Sequence, residues 1–93
     1  GMFIDNEIHD VELLFSQEAA PYIREREWHP EQQLEDAPDG SVVLKFRTRQ
    51  LQSVLHWVLT WSGAVKVLGP DKLVEMTKKS LLNALGRYRE DET

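Results

Sequence analysis

The sequence predicts a small α+β domain with four strands and three helices. The chain has 93 residues, of which 41% are apolar, and this suits one hydrophobic core. Segments in which apolar and polar residues alternate are interleaved with segments in which apolar residues recur every three or four positions. Proline and glycine mark the boundaries between these segments.

The composition excludes several classes of protein. The chain has no cysteine, which excludes disulfides and thiolate metal sites and fits a reducing compartment. Its formal charge of −5 repels nucleic acid in bulk, because nucleic-acid binding requires a clustered basic surface. No apolar run approaches the about 20 residues that span a bilayer, and there is no signal-peptide layout. We therefore expect a cytoplasmic domain without a membrane partner.

A single domain is predicted over residues 11–88. Residues 1–10 show little periodicity and are interpreted as a tag remnant and linker. Gly1 precedes a methionine, as a glycine left by tag cleavage does. Residues 89–93 form a charged tail. No internal repeat or second domain is indicated.

The first predicted elements are a strand and a helix. Residues 11–16 alternate, with apolar side chains on one face, and therefore predict a strand. Ser16 is predicted to be the N-cap of the helix that follows. Pro21 delays or bends the start of that helix. Pro30 disfavours helical geometry at His29, so the helix is expected to end before His29.

A hairpin is predicted next. Residues 31–36 give a weak strand pattern with one apolar side chain, while residues 42–48 alternate strongly. The segment between them, A-P-D-G-S at 37–41, has the residues of a tight turn. The two strands are therefore expected to pair in antiparallel.

The next helix is predicted from residues 51–59, whose apolar side chains recur at helical spacing. Trp57 and Trp61 lie four positions apart beside this stripe and are expected to stack along the helix. Packing in the core or at an interface is favoured for this pair over ligand stacking. Gly63 is predicted to end the helix in the left-handed conformation.

The last two elements are a strand and a helix. Residues 64–68 form a short apolar run that predicts a strand, and Pro70 is suited to the start of a helix. The buried side of this helix is predicted to carry Leu73, Met76, Leu81, Ala84, Leu85 and Tyr88. The complete order is a ferredoxin-like βαββαβ sandwich with an additional C-terminal helix.

Two right-handed crossovers would put the first two helices on one face of the sheet. The opposite face then carries Glu12, Leu14, Val43, Lys45 and Arg47, and it gains apolar groups if Val65 and Val67 join it. Such a face is covered by the last helix, is an ordinary amphipathic surface, or contacts a partner. The candidate interaction face is defined as Leu14, Val43, Lys45 and Arg47.

Motifs of enzymes are absent from the sequence. It has no G-x-S-x-G, no phosphate-binding glycine loop and no dinucleotide fingerprint. His9, His29 and His56 are scattered and lack the spacing of metal ligands. We therefore expect a non-catalytic domain with no metal or other cofactor.

A candidate ligand site lies in the segment A-P-Y-I-R-E-R-E-W-H-P at 20–30 and comprises Arg24, Arg26, Trp28 and His29. Arginine can bind phosphate through paired hydrogen bonds, and an aromatic ring can stack on a base. On a continuous helix Arg24 and Arg26 diverge by about 200°. The alternative is therefore a solvated helix face, with Trp28 packed as a cap over the core.

Six segments, taken in order, are familiar: V-E-L-L-F-S (11–16), A-P-Y-I-R-E-R-E-W-H-P-E-Q (20–32), P-D-G-S (38–41), V-L-K-F (43–46), L-Q-S-V-L-H-W-V-L (51–59) and A-V-K-V-L-G-P-D-K-L (64–73). Together they resemble the C-terminal extension, or WCX domain, of WYL-domain transcriptional regulators. No single segment is specific, but their order is, and the resemblance covers nearly the whole chain.

The resemblance implies a role in bacterial transcription regulation. Family members carry an N-terminal winged helix-turn-helix and a WYL domain, a small β-barrel that senses an effector often described as nucleic-acid-like. The C-terminal extension is ferredoxin-like, helps to set dimerisation and couples the subunits. In some members it adds basic residues to the effector site, for which Arg24 and Arg26 are the candidates by position.

The chain departs from the family pattern because it has neither the helix-turn-helix nor the barrel. It is expected to be an excised piece of a regulator or a stand-alone copy. The implied partners are the WYL and helix-turn-helix domains of the same regulator and a second copy in a homo-oligomer. Direct sequence-specific DNA binding is not expected. The alternative function is a small-ligand or (oligo)nucleotide-binding domain that uses Arg24, Arg26 and Trp28.

Overall fold

The computed structural model describes residues 7–91 of the chain. Their elements are β1 (His9–Phe15), α1 (Ala20–Arg24), β2 (Gln33–Asp36), β3 (Val42–Thr48), α2 (Leu51–Trp61), a 3-10 turn (Ser62–Ala64), β4 (Val65–Gly69) and α3 (Asp71–Glu90). The class is α+β, as predicted, with a four-stranded antiparallel sheet and three helices.

The strands lie in the order β2-β3-β1-β4, so β1 is central. Leu13 of β1 lies opposite Leu44 of β3 and opposite Val67 of β4. Because side chains alternate along a strand, these three residues share one face of the sheet. All three are buried, and that face forms the core.

One hydrophobic cluster joins this face to all three helices. From the helices it takes Ala20 and Ile23 of α1, Leu51, Val54, Leu55 and Val58 of α2, and Leu73 of α3. From the sheet it takes Val11, Leu13, Phe15, Val42, Leu44 and Val67. Since the helices share one cluster with one face of the sheet, they lie on the same side of it.

Two predictions about element ends require correction. Ser16 is not at the N-cap position of α1, which Ala19 occupies. Its hydroxyl nevertheless accepts the Ala19 N–H at 3.3 Å, as a capping side chain does. The Ser16 carbonyl accepts hydrogen bonds from the N–H groups of Ala19 and Ala20, at 3.1 and 2.9 Å, so Ser16 closes a turn before the helix. Pro21 stands in the first turn of α1, where its missing N–H costs nothing.

The second correction concerns the end of α2. The left-handed residue is Ser62, with φ 53°, rather than Gly63. The Ser62 N–H donates to the Leu59 carbonyl, and Gly63 continues into the 3-10 turn. The positive φ therefore occurs one residue earlier than the glycine indicates, while α2 itself ends at Trp61.

The third correction concerns α3. Leu73 is buried and Met76 packs against the core, as predicted. Leu81, Ala84, Leu85 and Tyr88 are exposed instead. The helix continues to Glu90, past the end of the body that it packs on, so its C-terminal half projects from the domain.

Strand boundaries agree closely with the sequence pattern. β3 has the predicted bounds, and β1 begins at His9, two residues before the predicted start, because His9 still pairs with Thr48. α1 ends at Arg24, before His29 as predicted. The interpretation of Gly1 as a tag remnant lies outside the described residues.

Candidate interaction face and ligand site

The sheet face opposite the helices carries paired charges. Asp10 lies opposite Arg47, and Glu12 lies opposite Lys45, in the β1–β3 register. The Arg47 Nε donates to Asp10 Oδ1 at 2.8 Å. Lys45 Nζ lies 3.2 Å from Glu12 Oε1 and 2.7 Å from Glu35 Oε1. The basic groups predicted for this face are therefore held by carboxylates of neighbouring strands.

Lys45 is central to this ionic network. Its hydrogen bond to Glu35, and to a smaller extent that to Glu12, raises the pKa of Lys45 above its ordinary value. The ammonium group is thus protonated at neutral pH, and two carboxylates balance its positive charge. Because the group is solvated, the network adds little stability. It organises the charge on the face instead.

An apolar patch lies beside these charges. Leu14 and Val43 are cross-strand partners and are both half-buried. Lys66 of β4 lies opposite Leu14. Val65 and Val67 do not join this face, because they pair with Phe15 and Leu13 and so lie on the core side. The conditional prediction for these two valines is therefore wrong, and the apolar part of the face is small.

Helix α3 does not cover the candidate interaction face. Its buried residue Leu73 and its partly buried residues Val74 and Met76 belong to the core cluster on the helical side. Arg47 and Lys66 remain exposed. Within residues 7–91, the candidate interaction face is therefore open to solvent.

Of the four candidate ligand residues, Arg24 is tied down most firmly. Its Nε and Nη2 atoms donate to Asp36 Oδ1 at 2.9 and 2.6 Å, and Nη2 lies 3.5 Å from the Gly40 carbonyl. These bonds link the end of α1 to the edge strand β2. A phosphate group at Arg24 would have to compete with this carboxylate.

Trp28 packs as a cap over the aromatic part of the core. Its ring centroid lies 5.1 Å from that of Trp57 and 6.1 Å from that of Trp61, and its Nε1 donates to the Ile23 carbonyl at 3.0 Å. Arg26 lies over the outer side of the ring, 5.8 Å from the centroid. The cap predicted for Trp28 is therefore present, with a cation at its rim.

Trp57 and Trp61 also contribute to packing. Their rings meet edge to face at 5.9 Å, and both contact Phe15. This geometry is typical of aromatic pairs in cores, and it confirms the packing interpretation. The Trp61 Nε1 is buried without a hydrogen-bond partner among the described residues.

His29 lies at a pocket beside this cluster. Its ring stacks on Phe46 with centroids 5.0 Å apart and planes 20° apart. The pocket has a volume of about 410 Å³, and its walls include Trp28, His29, Phe46 and Trp57. The His29 Nδ1 is buried and has no hydrogen-bond partner among residues 7–91.

The four candidates do not form one cluster of ligands. Trp28 and His29 share the pocket, Arg26 lies over the Trp28 ring and is not among the pocket walls, and Arg24 makes its bonds to β2. Gln32 was missed by the sequence reasoning, although its Oε1 accepts the N–H groups of both Trp28 and His29, at 2.6 and 3.1 Å. The side-chain acceptor shortly after Trp28-His29 was the available signal.

No group of three or more histidine, aspartate and glutamate side chains in residues 7–91 could hold a metal ion. Among the helices of this part of the chain, none has the length and apolar character to cross a membrane.

Residues 7–91 form a small α+β domain whose three helices pack on one face of a four-stranded sheet. The chain belongs to the WCX domain family, whose model matches residues 7–85. That membership supports the resemblance to a domain of WYL-type regulators. The curated proteins gave no match to the chain.

Proposed function

We propose that this chain is a non-catalytic regulatory and oligomerisation domain of a bacterial, cytoplasmic WYL-type transcriptional regulator. In this role it couples effector sensing by a WYL domain to the arrangement of a dimer. Membership of the WCX family supports the role, and the strand order β2-β3-β1-β4 with helices on one side supports a ferredoxin-like description.

The observation that carries the proposal is the open sheet face. Leu14 and Val43 form an apolar centre. Lys66 and Glu35 are its neighbours on the flanking strands, and the ion pairs of Lys45 and Arg47 lie at one end of it. An apolar centre with a polar rim is the anatomy of protein interfaces. The pairs also leave the face with balanced charge, which suits a protein partner better than a polyanion.

The test uses the complete regulator that carries this domain. Val43→Glu is expected to weaken dimerisation or the effector response, because it buries an unpaired charge in the interface. Tyr22→Glu is the matched control, since Tyr22 lies on α1 and is 63% exposed on the other side of the sheet. Equal behaviour of the two variants, with both folded, would remove the sheet face from the proposal.

A second function is favoured by the aromatic pocket. We propose as the alternative a small-ligand or (oligo)nucleotide site at Trp28 and His29, with Arg26 over the Trp28 ring. The unpartnered His29 Nδ1 supports it, because a buried polar atom is costly without a partner. Arg24 would join only after release from Asp36.

Titration of the chain with cyclic nucleotides, short oligonucleotides and inorganic phosphate tests this alternative. Tryptophan fluorescence reports on Trp28 and Trp57 at the pocket. A ligand at 100 times its dissociation constant stabilises the fold by about 2.7 kcal/mol. Absence of both a fluorescence change and a melting shift with every probe would contradict the alternative. The alternative would be supported by a response that is lost in His29→Ala but kept in His56→Ala, since the His56 side chain is exposed on α2.

A further inference from the structure

The C-terminal half of α3 carries an exposed apolar stripe. After Ser80, all residues of the helix except Gly86 are exposed. Leu81, Leu85 and Tyr88 keep 51%, 44% and 72% of their surface in contact with solvent. These positions lie within about 60° of one another around an α-helix. The projecting part of α3 therefore has an apolar face that nothing in residues 7–91 covers.

The stripe continues into the part of α3 that packs on the domain. Val74 and Thr77 lie on the same side of the helix and are half-buried. The Thr77 hydroxyl donates to the Leu73 carbonyl at 2.8 Å, so its polar atom is satisfied within the helix. We define the α3 seam as Val74, Thr77, Leu81, Leu85 and Tyr88.

The spacing of the α3 seam is symmetric about Leu81. Its successive steps are three, four, four and three positions, so the pattern is the same from either end. If two α3 helices ran antiparallel about a two-fold axis at Leu81, Thr77 would face Leu85 and Val74 would face Tyr88. Steps of three and four are those of helices that cross at a small angle of about 20°.

Charges beside the α3 seam favour the same arrangement. Asp71 and Glu75 lie four positions apart on one side of it, where Lys78 pairs with Glu75 at 3.6 Å. Arg89 lies on that side near the other end of the helix. A two-fold axis at Leu81 places Arg89 of one copy level with Leu73 of the other, between the two carboxylates. The guanidinium of Arg89 and the carboxylates of Asp71 and Glu75 carry opposite charges, which attract when they lie close together. A parallel two-fold pair would put these charges of the two copies on opposite sides of the seam, where they could not meet.

We propose that α3 pairs in antiparallel with α3 of a second copy of this chain through the α3 seam, with Leu81 on the two-fold axis. The inference deepens the proposed oligomerisation function and rests on it. A helix about 30 Å long and 10 Å wide covers on the order of 300 Å². A stable specific interface needs about 800 Å² per partner, so pairing through α3 alone is weak and depends on concentration.

Cysteine crosslinking tests the pairing directly, since the natural sequence has no cysteine. Leu81→Cys places one thiol on each side of the axis and is expected to give a disulfide-linked dimer under mild oxidation. Asn83→Cys is the matched control, because Asn83 is exposed close to the axis but lies about 160° around the helix from Leu81. We expect the control to crosslink about tenfold less, because disulfides require close Cβ atoms.

Direction is tested with a mixture of Thr77→Cys and Leu85→Cys chains. An antiparallel pair gives the mixed dimer in preference to either homodimer, and a parallel pair gives the homodimers. Homodimers in excess, or equal crosslinking of Leu81→Cys and Asn83→Cys, overturn the proposal. Circular dichroism confirms that each variant keeps its fold.

The same variants in the complete regulator separate the two proposals. A regulator that dimerises without crosslinking at Leu81→Cys contradicts the α3 pairing and leaves the oligomerisation function in place. A regulator that sediments as a monomer contradicts the oligomerisation function itself.

Discussion

Arg24 and Asp36 fasten the first helix to the edge strand through two hydrogen bonds to one carboxylate oxygen, at 2.9 and 2.6 Å. The two residues lie twelve positions apart, and both side chains are largely exposed, at 39% and 72%. The bidentate donor holds β2, all four of whose residues are exposed. The pair therefore has a structural role whether or not Arg24 also meets an effector.

A double-mutant cycle measures that role. Arg24→Ala and Asp36→Ala are each expected to lower the free energy of unfolding by about 0.5 kcal/mol, since exposed pairs contribute between zero and about 1 kcal/mol. The double variant should lose less than the sum. Urea denaturation provides the values. Additive losses would show that the two side chains do not interact in solution.

Trp28 is expected to contribute both a hydrogen bond and packing. Trp28→Phe removes the donor to the Ile23 carbonyl and should cost about 1 kcal/mol. Trp28→Ala also removes the contacts with Trp57 and Trp61 and should cost about 3 kcal/mol. Tyr22→Ala, at a side chain that is 63% exposed, serves as the control and should stay within about 0.5 kcal/mol. Thermal unfolding that ranks these variants differently would contradict the cap role.

Leu73 anchors α3 to the domain. It is fully buried, so Leu73→Ala should lower the free energy of unfolding by about 2–5 kcal/mol through lost burial and a cavity. Leu82→Ala, at 64% exposure on the same helix, should change it by no more than about 0.5 kcal/mol. Chemical denaturation of the two variants at one low protein concentration, where pairing is absent, makes the comparison.

Gly40 and Gly63 are expected to respond in opposite directions to alanine. Gly40 has φ +88°, and a Cβ there would meet Gln17 Cγ at 3.1 Å, so Gly40→Ala should cost about 1–2 kcal/mol. Gly63 has open space for a Cβ and no positive φ. Gly63→Ala should be neutral or stabilising by about 0.4–1 kcal/mol. A thermal shift assay that finds the two variants equally stable would contradict the assignment of a positive φ to Gly40 and not to Gly63.

Asp39 provides a pH-dependent contribution to the hairpin turn. Its Oδ1 accepts the Ser41 hydroxyl at 2.6 Å and the Ser41 N–H at 3.0 Å. These bonds hold the pKa of Asp39 below its ordinary value. The stabilisation is therefore fully present above the ordinary pKa and is lost as the pH falls through the lowered one.

The comparison with Asp39→Asn tests this sign. The natural chain should be the more stable at neutral pH, and the difference should disappear below the lowered pKa, where Asp39 is protonated. Carboxyl NMR titration gives the pKa directly, and urea denaturation at each pH gives the stability. An advantage that grows on acidification would contradict the prediction.

Elements set by local pattern could be predicted from the sequence. β3 has the predicted bounds because strict alternation and the turn at 37–41 act together. The left-handed position at the end of α2 could not be predicted, because glycine preference is only a tendency and Ser62 takes that conformation instead.

Contacts between segments that are distant in the sequence could not be predicted from the sequence. A helical stripe predicts that Leu81, Leu85 and Tyr88 are buried, but it does not indicate whether their own domain or another one covers them. In the same way, Arg24 has many carboxylates near it in sequence, and only the pairing of β2 with β3 selects Asp36. The candidate ligand residues were predicted as one segment, while the separate partners of Arg24, Trp28 and His29 depend on the tertiary fold.

The short edge strand β2 has a consequence for how copies of the domain assemble. It offers four residues, including the acidic Glu35 and Asp36, and a strand of this length and charge is a poor template for hydrogen-bonding a foreign strand. Open-ended growth by sheet extension is therefore discouraged. Assemblies built from other surfaces related by a two-fold axis close on themselves, so a finite complex is the natural end point.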